Sequence, residues 1–161
     1  MNVLLIGACG VGKTWVMKQL IKLKGANLTY KIGMIYYHSN SLVNIIGKYD
    51  NSTFEGSDRL SMAAVKDIAA FMVRNYDKIN IYEGDRFTNS TFITAASPII
   101  VKIQGHGDEG RRLRGSQQTD RHIKSIATRV SNISAHHDVE NSDEALFLIL
   151  KLIEDAEKKQ R

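Results

Sequence analysis

A chain of 161 residues, 43% hydrophobic and 24% charged, has the makeup of one folded domain, able to bury about two-thirds of the surface its unfolded form exposes. No apolar run approaches the roughly 20 residues that span a bilayer, no basic stretch precedes an apolar segment near Met1, and the lone Cys9 can form no internal disulfide. These features predict a cytosolic protein without a membrane, and a net charge of +5 directs attention to polyanionic partners, nucleic acid first.

In chain order, residues 2–6 form a continuous apolar run stopped by Gly7, the pattern of a fully buried strand. Residues 14–24 carry Val16, Met17, Leu20, Ile21 and Leu23 mostly at helical spacing, with Gly25 as a stop. Residues 32–37 and 42–46 flank Ser39, Asn40 and Ser41 and predict two strands joined by a tight turn. The stretch "GKYDNSTFEGSDRLS" is too rich in turn-formers for regular structure. A helix is predicted over 62–76, with Val65, Ile68, Ala69, Met72 and Tyr76 on one face. A short strand over 79–82, a short helix over 92–96 and a strand over 99–103 after Pro98 follow. A basic segment, helical in part, comes next, and His136, His137 and Asp138 belong to the last strand and its loop, beneath a bound adenine. The final helix starts near Ser142, whose hydroxyl can cap it. Asp143 and Glu144 suit its first turn and Lys158, Lys159 and Arg161 its end. This alternation predicts an α/β domain with a mainly parallel sheet.

The sharpest signal is "GACGVGKT", residues 7–14, between the first strand and the first helix. Gly7, Gly12, Lys13 and Thr14 match G-x-x-x-x-G-K-[ST], with Ala8, Cys9, Gly10 and Val11 between them. Glycines let consecutive amides turn inward toward phosphate oxygens, Lys13 reaches the terminal phosphates of a nucleotide, and the Thr14 hydroxyl can ligate Mg²⁺. The expected fold is therefore a P-loop NTPase, a three-layer sandwich of nucleoside-kinase type spanning 1–161 with a basic lid at about 105–129.

What the nucleotide is used for depends on the rest of the chain. The D-x-x-G and N-K-x-D motifs of a guanine-nucleotide switch are missing from the sequence. "IYEGDRF" instead puts Glu83 and Asp85 at the end of the strand 79–82, at the carboxyl edge of the sheet, where Mg²⁺ and an acceptor belong. "DRFTNS" resembles the D-R-[YFH]…S signature of thymidylate and deoxynucleoside kinases, in which the arginine, here Arg86, grips the acceptor. From Gly110 to Arg129 six basic residues face one acid, Asp120. Arg111, Arg112 and Arg114, flanked by the glycines of "GHGDEG", suit a lid that closes on the transferring phosphoryl group. Tyr36, Tyr37 and Tyr49 are expected in the core rather than stacked on bases.

Together "GACGVGKT", "GKYDNSTFEGSDRLS", "YEGDRF" and "RLRGSQQTDRHIKSIATRVSNI" resemble the bacteriophage P-loop kinases that phosphorylate 5-hydroxymethyluridine within DNA during thymine hypermodification. The resemblance runs from the loop to about Ile133. It implies ATP as donor, Mg²⁺, and a primary hydroxyl on a base of DNA containing 5-hydroxymethyluracil as acceptor. It also implies Asp58 of "GSDRLS" as general base, by analogy with the aspartate that follows the second strand region in polynucleotide kinases, with Asp85 second in line. Arg59 would hold a DNA phosphate or the aspartate. Thr14 and Glu83 would serve the metal, Glu83 through water, and Arg121, Lys124 and Arg129 would meet DNA phosphates. A kinase of free deoxynucleosides or deoxynucleotides stays open as a second reading, and a nucleotide-dependent DNA-binding module as a third.

Overall fold

The computed structural model describes residues 1–52, 55–61, 63–113 and 115–160. Among them one sheet contains β1 (Asn2–Gly7), β2 (Leu28–Ile32), β3 (Ile35–Ser39), β4 (Val43–Ile46), β5 (Ile79–Glu83), β6 (Ile99–Ile103) and β7 (His137–Val139). Six helices surround it: α1 (Lys13–Lys24), α2 (Ala64–Arg74), α3 (Ser90–Ala96), α4 (Asp108–Leu113), α5 (Asp120–Ser131) and α6 (Ser142–Gln160).

The strand order is β2-β3-β4-β5-β1-β6-β7. β4, β5, β1, β6 and β7 run parallel, while β2 and β3 form an antiparallel extension at one edge. β1 has no solvent face, because Val3, Leu4, Leu5 and Ile6 are all fully buried. Its pleat sends Val3 and Leu5 into a core shared with Val16, Met17 and Leu20 of α1 and Ile149 and Ile153 of α6. Leu4 and Ile6 enter a second core with Ile68 and Phe71 of α2, Phe92 of α3 and Ile126 and Val130 of α5. Each such side chain contributes about 1.5–3 kcal/mol on burial. The result is an α/β domain of three layers with a mostly parallel sheet.

That arrangement positions a site. The chain leaves β1 toward β4 and β5, then crosses to β6 and β7 on the other side. The carboxyl ends of β1, β5 and β6 therefore border a crevice where the strand order reverses, the usual ligand position in open α/β sheets.

Several elements differ from the sequence expectation. The predicted strand 32–37 is broken by a two-residue turn at Gly33 and Met34, and Leu28–Ile32 is an additional edge strand. Leu28, Thr29, Tyr30 and Lys31 are exposed there, so no one-sided apolar alternation marks the strand. The segment expected to lack regular structure contains a Lys48–Gly56 bridge and a 3-10 turn over Ser57–Arg59. α2 spans Ala64–Arg74, inside the expected 62–76, of which Met62 lies outside the described residues. The cap of α6 is Asn141 rather than Ser142: Asn141 Oδ1 accepts from the Glu144 amide at 2.9 Å, while Ser142 packs against the 7–14 loop. The Arg161 expected at the end of this helix lies outside the described residues. No helix among the described residues is long and apolar enough to cross a membrane.

Candidate functional site

The 7–14 loop leaves the carboxyl end of β1 and turns directly into α1. Gly12 caps that helix in the left-handed conformation and offers no side-chain acceptor to its first turn. Within the described residues the amides of Gly10, Gly12, Lys13 and Thr14 make no hydrogen bond, which leaves four unbonded N–H groups near the positive end of the helix dipole. Lys13 bends back over the loop, and its Nζ donates to the carbonyls of Gly7 at 3.0 Å and Ala8 at 2.9 Å. Val11 packs onto the core beneath, and the Cys9 side chain is half-buried and unbonded to sulfur. The residues Gly7–Thr14 thus form one continuous turn between β1 and α1.

Beside it stands Glu83, the last residue of β5, only 3% exposed. Its Oε1 accepts from Tyr49 Oη at 3.0 Å and from Thr14 Oγ1 at 3.4 Å. Burial pushes its pKa up to about 7, against the opposing pull of the Lys13 ammonium and the Tyr49 hydrogen bond, with the nearby Asp58 charge raising it further. Tyr49 in turn is held well above its ordinary value, by burial first and by Glu83 second. Gly56 makes this packing feasible: at φ 79°, a Cβ there would overlap Glu83 Oε1. The neighbouring turn Ser57–Arg59 leans on Glu83 and Gly84, with Ser57 Oγ 2.6 Å from where a Cβ on Gly84 would lie.

Asp58 and Arg59 project from that turn and are exposed. Asp58 is near enough to Glu83 and Tyr49 to bias both electrostatically. Arg59 Nη1 lies 3.5 Å from Asp50 Oδ1 and also meets Ser52 Oγ.

The opposite wall is α4, seated directly on the loop. A Cβ on Gly10 would strike the Gly107 carbonyl, and one on Gly110 would strike the Gly10 carbonyl. Arg111 is committed to this seat: its Nη1 donates to the carbonyls of Cys9 at 2.6 Å and His106 at 2.5 Å, and its Nη2 pairs with Asp108. Arg112 is exposed on the same short helix, and Arg114 lies outside the described residues.

The remaining predicted contacts divide. Arg129 on α5 forms an ion pair with Asp85, whose Oδ1 also accepts from Thr88 Oγ1 at 3.1 Å. Asp85 and Arg129 are therefore bound to each other rather than facing a proton donor and a phosphate. Arg86 is half-buried in the turn Asp85–Phe87, its carbonyl accepting from Asn89 Nδ2 at 3.0 Å. Arg121 and Lys124 are exposed on α5.

Two cavities flank the loop. One of 860 Å³ lies between the end of β6 and α5, lined by Ala8, Ile103, Ile123 and Ala127 together with polar side chains such as Lys102, Gln104 and Thr128, an open cleft not legible in the sequence. The other, 370 Å³, lies between Gly10, Val11, Gly107 and the start of α6 at Glu140 to Ser142. His136 accepts from the Ile100 amide through Nδ1 at 3.0 Å, and Asp138 of β7 accepts from Gln104 Nε2 at 2.5 Å.

Tyr49 is buried in the core as expected, but its hydrogen bond to Glu83 was not foreseen, because a tyrosine in a turn-rich stretch gave only its aromatic character as a signal. Comparisons with family models, with curated proteins and with solved structures found no match to the chain.

Proposed function

We propose that the protein is a P-loop kinase of nucleoside-kinase type that transfers the γ-phosphoryl group of ATP to the 5-hydroxymethyl group of 5-hydroxymethyluridine in DNA. One observation carries the phosphoryl-transfer reading: Lys13, Thr14 and the buried Glu83 converge beside four unbonded amides at an uncapped helix start. A carboxyl, a hydroxyl and a tyrosine hydroxyl with little access to water form an oxygen-rich setting that suits a hard cation, and a carboxylate raised to about 7 gains from one. Thr14 and Glu83 would hold Mg²⁺, which when bound would neutralise charge on the donor's phosphates.

In the proposed step the acceptor oxygen bonds to the γ-phosphorus as the bond from that phosphorus to the β,γ-bridging oxygen breaks, releasing ADP. The hydroxyl proton passes to Asp58, exposed at the mouth of the cleft beside Glu83. Lys13 exchanges its two carbonyl partners for phosphate oxygens, and the loop amides hold the phosphates in line. The DNA acceptor rests on the resemblance of the sequence stretches and on exposed Arg121 and Lys124.

A kinase of free deoxynucleosides or their monophosphates is the second reading. The 860 Å³ cavity favours it, being within the roughly 300–1,000 Å³ range of small-ligand sites. The test measures ADP release with a panel of acceptors: hydroxymethyluracil DNA, unmodified thymine DNA, and free hydroxymethyldeoxyuridine with its monophosphate. Release only with modified DNA supports the first reading. Release only with the free forms transfers the function to the second, and release with none of them removes both.

A further inference from the structure

We infer that the cavity between β6 and α5 receives one nucleotide unit of the acceptor, base inward and phosphate at the mouth, so that a DNA acceptor must present its modified base outside the helix. This rests on the phosphoryl-transfer reading above and adds how the acceptor enters.

The reacting centre is recessed. Glu83, Gly84 and Gly56 are buried, with the turn Ser57–Arg59 on one side and α4 and α5 on the other. The major groove of B-DNA is about 8.5 Å deep and admits a protruding helix or ribbon. A concave cleft offers no such protrusion. The hydroxymethyl arm reaches only one carbon and one oxygen beyond the ring, so the DNA backbones would meet the cleft walls before the hydroxyl met the loop. Rotating the nucleotide out of the stack removes that obstacle, as in other enzymes that act on bases.

The cavity has the right construction for such a unit. At 860 Å³ it can enclose a base and its sugar. Its floor of Ile103, Ile123 and Ala127 is apolar, which suits the faces of a pyrimidine. Ala8 belongs both to this floor and to the loop, and its carbonyl holds Lys13, so an occupant lies next to the transferring group. Exposed Lys124 of α5 lines the cavity and is available to a phosphate there. Two acids also line the cavity: Asp108, which is paired with Arg111, and Asp120, in the first turn of α5.

An extrahelical nucleotide and a free nucleoside 5′-monophosphate share this chemistry, and the experiment separates them. Duplex DNA carrying hydroxymethyluracil next to 2-aminopurine is titrated with the protein and a non-transferable ATP analogue, transfer to the same duplexes is followed separately with ATP, and thymidine 5′-monophosphate binding is measured in parallel. The expected result is a rise in 2-aminopurine fluorescence, faster transfer to mismatched than to matched duplex, and loss of both the rise and the transfer in Ala127→Trp. ATP-analogue binding and thermal melting report whether that variant folds. Lys124→Glu, a surface change, should lower thymidine monophosphate affinity about tenfold, the weight of one charge-assisted contact. Monophosphate binding that Ala127→Trp abolishes, with no response from any DNA, upholds the cavity and refutes the DNA acceptor. Transfer to matched duplex without a fluorescence rise overturns the inference, as does undiminished binding and transfer in a folded Ala127→Trp protein. Failure of both nucleotide and DNA to bind overturns it too, while ATP turnover judges the broader reading separately.

Discussion

Replacing Glu83 by Gln isolates the energetic consequence of burying a carboxyl group in the cleft. Glutamine keeps the shape and can still accept from Tyr49 and Thr14, but it cannot ionise. In the unfolded chain a glutamate titrates near 4.5, and in the folded protein burial moves this one to about 7. A raised pKa means that folding favours the protonated form. Stability from this group is fully present below about pH 4.5 and is lost as pH rises through about 7. A displacement of about 2.5 units corresponds to about 3 kcal/mol at pH 8. His38 acts in the opposite sense: burial lowers its pKa, and its Nε2 accepts from the Tyr49 amide at 3.4 Å, so its contribution is present above pH 6.5 and lost on acidification. Subtracting wild type from Glu83→Gln cancels that background. Urea unfolding in a chelator, at pH 4.5 and pH 8, should show the variant gaining about 3 kcal/mol on wild type across the interval. Millimolar Mg²⁺ at pH 8 should then stabilise wild type more than the variant. A difference between the two proteins that does not change with pH would refute the reasoning.

Asp58→Asn should bind ATP as wild type does yet transfer phosphate about a hundred- to ten-thousand-fold more slowly, measured by single-turnover kinetics. Full activity would remove Asp58 as the base. Lys13→Ala should lose transfer by several orders of magnitude and, through its two carbonyl bonds, about 1–2 kcal/mol of stability. Wild-type turnover by the folded variant would exclude the cradle assignment. Tyr82→Phe should raise stability by about 1 kcal/mol, because the Tyr82 hydroxyl is buried with no hydrogen-bond partner among the described residues. A loss of stability in urea unfolding would show that the hydroxyl is bonded.

The legible parts of the fold were those encoded by neighbours in sequence. β1, the loop and α1 were readable because a buried run, a glycine-rich turn and a helical period follow one another within 24 residues. Glu83 was readable because the end of a parallel strand is itself a spatial address. β2 was missed for lack of a buried face, and the α6 cap was displaced by one residue because Asn141 and Ser142 are both competent caps. Thr14 and Glu83, expected together from sequence, do meet across 69 positions, but other contacts between distant segments were not legible. Tyr49 meets Glu83 across 34 positions, and Arg129 meets Asp85 across 44. Composition suggested an arginine free for phosphate, whereas folding brings a carboxylate to it. The 860 Å³ cavity has no sequence pattern, being the space left between two elements.

The seat of α4 on the loop changes what mutation can do there. In G-x-x-x-x-G-K-[ST] the four middle positions are unspecified, and Gly10 occupies one of them. Here it faces the backbone at Gly107 and Gly110 with no room for a single carbon between them. Variation at position 10 is thus governed by residues roughly a hundred positions away, and any side chain introduced on either partner meets the same barrier. A loop transplanted from a nucleotide-binding protein would keep the motif and still lift α4 off its seat, taking Arg111 away from the Cys9 carbonyl. The heritable unit in this chain is the loop together with 107–111, and deep mutational scanning should find the two segments intolerant as a pair.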